Sequence, residues 1–274
     1  MRLSLLIAAA LAASWMPFSA PAADGGRADV PRFRVQEGGW GSGGVRDISA
    51  VLNSAARQLW KQFPGYEIEP MAVVRGNAGP ITLFQRNVRG EIVVQLDTGD
   101  TYWCQYAYQF AHELCHVLCG FREGGDDHKW FEETLCELAS IYTMRRMAEE
   151  WEKSPPYPNW RDYSKALRSY ADDVVEKREA LDLKQLAAFY AKEKESLRGT
   201  ATQRDKNGRM AAALLPLFEE KPERWEAVRW LNAARPKGKA SFGEFLKSWR
   251  DASPQKHRAF IEQIAEAFGE KLPS

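Results

Sequence analysis

The sequence predicts an α+β fold: a small sheet built early in the chain, an active-site helix, then an all-helical remainder. Three observations carry that prediction. Strand-like alternation is confined to residues before 100, helical periodicity fills the chain beyond residue 100, and Gly/Pro clusters punctuate the change. With 274 residues and 45% hydrophobic side chains, the chain can bury a sizeable core.

The first 22 residues are expected to lie outside the fold. Arg2 precedes an apolar run from Leu3 to Ala13 broken only by Ser4, and Ala20-Pro21-Ala22 fits a small-residue cleavage site. This pattern is that of a secretory signal over residues 1–22. The run is too short to span a bilayer, and Pro17 closes it. Export is therefore expected, with a bacterial periplasm as the compartment and secretion as the alternative. No later segment is long and apolar enough to suggest a membrane span in the mature chain.

Arg32–Gln36 alternates as a strand, and Gly38–Gly44 reads as a flexible glycine connector without the pattern of a phosphate loop. Asp47 is placed to cap a helix that carries Ile48, Val51, Leu52, Ala55, Leu59 and Trp60 on one face and ends at Pro64-Gly65. Tyr66–Val74, Ile81–Gln85 and Glu91–Leu96 read as strands, the last two flanking a hairpin turn at Arg86–Gly90. Asp100 is placed to cap a helix from Thr101 to Gly120, where glycine suits the residue past the end. A second long helix spans Trp130–Trp151, and the proline-rich Lys153–Trp160 breaks it. Helical periodicity then recurs over residues 164–178, 183–198, 208–218, 222–234, 242–249 and 255–268. The expected organisation is an upper α/β part over residues 23–120 and a helical lower part over residues 121–274.

The 38 basic and 37 acidic residues are spread along the chain, with a formal charge of +1. No long basic run appears, which argues against nucleic acid as a partner.

The chemistry concentrates in Phe110–Gly120, "FAHELCHVLCG". On a helix, His112 and His116 lie one turn apart on one face, so their imidazoles can converge on a single ion. Glu113 points about 100° away and can reach a water on that ion. This is the His-Glu-x-x-His arrangement of zinc peptidases. The motif uses two of only four histidines in the chain, and its chance expectation is on the order of 0.005 occurrences, so coincidence is a poor account. A catalytic zinc also needs a third protein ligand. Cys119 and Arg122 exclude the extended form with a third histidine, which requires Gly and His there. The next acidic cluster offers Glu132, Glu133 and Glu137, and a solvated helix face suits Glu132 better than the Glu133/Glu137 pair.

Trp130-Phe131-Glu132-Glu133 ahead of an apolar helix resembles the Trp-x-x-Glu segment of gluzincin metallopeptidases. The resemblance covers residues 81 to about 140 and implies a zincin-like fold. It also implies Glu133 as third zinc ligand, selected by the tryptophan register, and Glu137 as the carboxylate that fixes a histidine tautomer. It further implies an antiparallel edge strand above the metal, here Ile81–Gln85, to which an extended substrate adds as a further strand. The chain departs from the pattern in carrying Glu at 137, where Asp is common, and in a short gap between His116 and Glu133. The upstream motif that grips a free N-terminus in typical aminopeptidases is missing.

The expected function is therefore an exported, one-zinc peptidase acting on peptide or protein substrates, with Glu113 as general base. The alternatives are a metal-binding periplasmic adaptor or inhibitor without turnover, and a cell-wall hydrolase using the same centre. The oxyanion donor stays open among Tyr142, His128, Tyr163 and Tyr170. The chain has four cysteines, Cys104, Cys115, Cys119 and Cys136, and an even number in an exported protein points first to a disulfide. Buried thiols are the next reading and metal ligation the last.

Overall fold

Among the described residues, four short strands form one mixed sheet in the order β1-β2-β4-β3. They are β1 (Phe33–Val35), β2 (Met71–Arg75), β3 (Ile81–Thr82) and β4 (Ile92–Leu96). β1 runs parallel to β2 and β2 parallel to β4, while β3 pairs antiparallel with β4 through Ile81–Gln95 and Thr82–Val94. β3 is thus an antiparallel edge strand. The alternation read from β4 is real: Ile92, Val94 and Leu96 are buried, and Val93 and Gln95 less so. The computed structural model describes residues 29–122, 127–179, 181–234, 236 and 239–272. The predicted signal segment, residues 1–22, lies outside these.

The helices are α1 (Val45–Trp60), α2 (Trp103–Leu118), α3 (Lys129–Trp151), α4 (Tyr163–Lys177), α5 (Leu186–Gly199), α6 (Arg204–Glu220), α7 (Phe242–Ala252) and α8 (Gln255–Ala267). Short 3-10 turns precede α4 and α5, and Pro222–Trp230 is a longer 3-10 segment rather than the α-helix its periodicity suggests. Helices α1 and α2 pack together beside the sheet, and α3 packs on α1, α2, α4 and α6. One continuous apolar core runs from Val35 to Phe268, across the expected division at residue 120. Among the described residues, no helix is long and apolar enough to cross a membrane.

Several local expectations shift. Asp47 lies in the first turn of α1 and Gly44 takes the cap position. A carboxylate there still faces the positive helix end. Asp100 does not cap α2, which starts at Trp103 after Tyr102. Instead Asp100 adopts a left-handed φ of 50° and accepts hydrogen bonds from the Ser42 backbone and hydroxyl. Its own N–H donates to the Trp40 carbonyl, so the glycine segment is fastened rather than free. The strand expected over Tyr66–Val74 begins only at Met71, after Pro70, which has no N–H for a ladder. The strand over Ile81–Gln85 is cut to two residues, with one further ladder bond from Leu83 N–H to the Val93 carbonyl. The turn at Arg86–Gly90 forms as expected. Asn87 Oδ1 accepts from the Arg89 and Glu91 N–H groups, and Gly90 takes φ 73°.

Candidate metal centre

Helix α2 lies between the sheet and α3, which gives its two faces different neighbours. Its residues meet β3 and α3 around a cleft of about 650 Å³. His112, Glu113, His116, Glu133 and Glu137 all line that cleft, with Ile81, Thr82 and Phe84 on the strand side.

The i, i+4 spacing brings the two imidazoles together, ring centroids 5.1 Å apart. His112 Nε2 lies 3.3 Å from one Glu133 oxygen, and His116 Nε2 lies 3.6 Å from the other. Donor atoms around a tetrahedral ion at about 2.0–2.1 Å sit roughly 3.3 Å apart, and these two distances, which run to different Glu133 oxygens, are close to that spacing. The outward nitrogens have partners of their own. His116 Nδ1–H donates to Glu132 Oε1 at 2.6 Å, which leaves Nε2 with a free lone pair. His112 Nδ1 lies 3.7 Å from Glu137 Oε2, too far for a direct hydrogen bond but an electrostatic neighbour.

Those carboxylates are themselves held. Tyr108 and Arg178 both donate to Glu137 Oε1. Glu132 accepts from Lys129 and, at 2.8 Å, from Asn232 Nδ2, which also donates to the Cys119 carbonyl. Glu132 is 2% exposed, so the reading of it as a solvated helix face is wrong. The packing of α3 on α2 turns that face inward, and a period-3.6 pattern cannot tell which neighbour a face will meet.

Electrostatics follow the contacts. Burial raises the Glu132 and Glu137 carboxyls, but His116 and Lys129 in one case, and His112, Arg178 and Tyr108 in the other, outweigh it. Each is held at about 2. Burial likewise opposes ionisation of Glu133, and the two histidines still hold it below the usual carboxylate range. For His112 burial disfavours the cation, yet the surrounding carboxylates raise its pKa well above the ordinary value. Glu113 is 3% exposed, and its Oε2 accepts from Thr82 Oγ1 at 2.8 Å.

All four cysteines are free and buried, so the expected disulfide is absent. Cys136 joins His112 and His116 in a group whose ligand atoms all lie within 4.8 Å of one another. It therefore competes with Glu133 for the third position. Glu133 lines the cleft, whereas Cys136 is fully buried behind the histidines. An ion held with Glu133 stays reachable from solvent, as an open coordination position requires.

Of the four oxyanion candidates, Tyr170 lines the cleft. Tyr142 is fully buried, His128 donates Nε2–H to the Ala240 carbonyl, and Tyr163 is engaged with Cys104. Sequence reasoning weighed Glu132 but set it on a solvated face, and it missed Thr82, Arg178 and Asn232. The last three come from other elements and leave no local signal.

No protein-family model, curated protein or solved structure matches this chain.

Proposed function

We propose that the chain is an exported zinc-dependent peptidase of gluzincin type with a zincin-like fold. The observation that carries this reading is that both histidine Nε2 atoms face the single Glu133 carboxylate inside the cleft. His112, His116 and Glu133 would hold one zinc ion. When bound, zinc supplies a Lewis acid for a carbonyl oxygen and lowers the pKa of a bound water to about 7. The antiparallel edge strand β3 beside the motif helix supports the zincin-like reading.

Each remaining role falls to a side chain. Thr82 occupies Glu113 Oε2, so Oε1 is the oxygen left to take a proton and pass it to the leaving amine. Tyr170 is the donor for the tetrahedral oxyanion, and burial raises its pKa, which keeps its hydroxyl protonated. Among the described residues β3 pairs only with β4, which leaves its other edge for an extended peptide backbone. Phe84 stacks on Phe121 at 5.7 Å, giving an apolar wall for a substrate side chain.

The test is elemental mass spectrometry on the tag-free mature chain, paired with peptide hydrolysis. Wild type is expected to carry near one zinc in this centre. Glu113→Gln is expected to keep that zinc and lose about 10²–10⁴-fold in turnover. No zinc after metal supply under reducing conditions, or equal hydrolysis by both proteins, would overturn the proposal.

A further inference from the structure

The ligand set of the cleft is repeated three residues further along both helices. His112 and His116 on α2 are followed at that spacing by Cys115 and Cys119, and Glu133 on α3 by Cys136. The second trio faces the core. Cys115 Sγ and Cys119 Sγ lie 3.9 Å apart. Cys136 interacts electrostatically with both, and its Sγ also lies within 4.8 Å of ligand atoms of His112 and His116. All three are fully buried, and none lines the cleft. The remaining cysteine, Cys104, sits elsewhere against Tyr163 and takes no part.

We infer that Cys115, Cys119 and Cys136 form a second metal site, a thiolate pocket for a soft or borderline cation such as Cu(I) or Zn(II). Sulfurs bound at about 2.3 Å around one such ion lie roughly 3.8–4.0 Å apart, and the Cys115–Cys119 pair already has that spacing. Thiolates select these ions over hard ones. Burial away from the cleft makes the site closed, as structural metal sites are. Lys129 lies close enough to Cys136 to interact with a thiolate there and offset part of the buried negative charge. An ion held in this pocket would tie α2 to α3 directly behind the two histidines. Such a pocket does not require peptidase activity in the cleft.

The experiment uses the full mature chain, reduced and loaded with zinc or with Co(II) as a spectroscopic probe. Two metals per chain are expected, with sulfur scatterers at about 2.3 Å around zinc and an intense near-ultraviolet thiolate-to-Co(II) band. A centre of two histidines and a glutamate gives no such band. Cys119→Ser is expected to lose one metal and the band, whereas Glu133→Ala keeps the band while zinc in the cleft weakens. Absence of sulfur scatterers and of the band would overturn the inference. So would one metal per chain with a band insensitive to Cys119→Ser, because sulfur would then enter only through Cys136 at the histidines. If Cys119→Ser does not fold, stoichiometry and sulfur scattering on the unmodified chain decide. A band that persists without zinc in the cleft supports this site while removing the peptidase reading.

Discussion

Glu132 and Glu133 are adjacent in the chain and meet opposite sides of the same imidazole. Glu133 faces His116 Nε2 at 3.6 Å, and Glu132 accepts from Nδ1 at 2.6 Å. Successive residues on a helix diverge by about 100°, and the His116 ring fits between the two carboxylates. The difference predicts an order of effects. Glu133→Ala removes a donor atom and leaves two, so zinc affinity should fall by more than about 100-fold. Glu132→Ala removes an orienting partner and should cost about 10–100-fold. Competition against a chromophoric chelator measures both. The reverse order would move the third ligand to Glu132.

At the scale of elements, α4 and α6 reach the centre without carrying a ligand. Arg178 follows α4 and its guanidinium lies over Gly208 of α6, where it meets Glu137. A Cβ at position 208 would stand 2.3 Å from Arg178 Nη1 and 2.4 Å from its Cδ. Gly208→Ala should therefore push Arg178 off Glu137 and weaken zinc binding by about tenfold. Gly199→Ala meets nothing within 4 Å and is the matched control. Equal zinc affinity in the two variants would detach Arg178 from the metal centre. The periodic positions of α4 and α6 are plain in the sequence, but a glycine that makes room for another helix's side chain has no periodic signature.

For the whole molecule, the start of α3 is held by residues far along the chain. The Trp130 and Phe131 rings pack on Phe242 at 4.8 and 5.3 Å, and on Phe268 at 5.9 and 5.6 Å. Phe242→Ala should lower the unfolding free energy by about 3–5 kcal/mol, read from urea titrations. Far-ultraviolet dichroism and tryptophan fluorescence should still unfold together, because one core joins the sheet side to α8. Two separated transitions would mean that the parts before and after residue 120 fold as independent units. By itself, the sequence determined the early strands, the helices after residue 100, and the placing of His112, Glu113 and His116 on α2. Those come from local periodicity and from the i, i+4 geometry that any helix imposes. Only the tertiary structure decided that β1 and β2 join β4 in parallel, that Glu132 is buried on His116, and that Tyr170 rather than Tyr142 lines the cleft. It alone buried Cys136 of α3 beside Cys115 and Cys119. Each of these depends on which helix faces which, and that choice is made by distant apolar and aromatic contacts that no short stretch of sequence encodes.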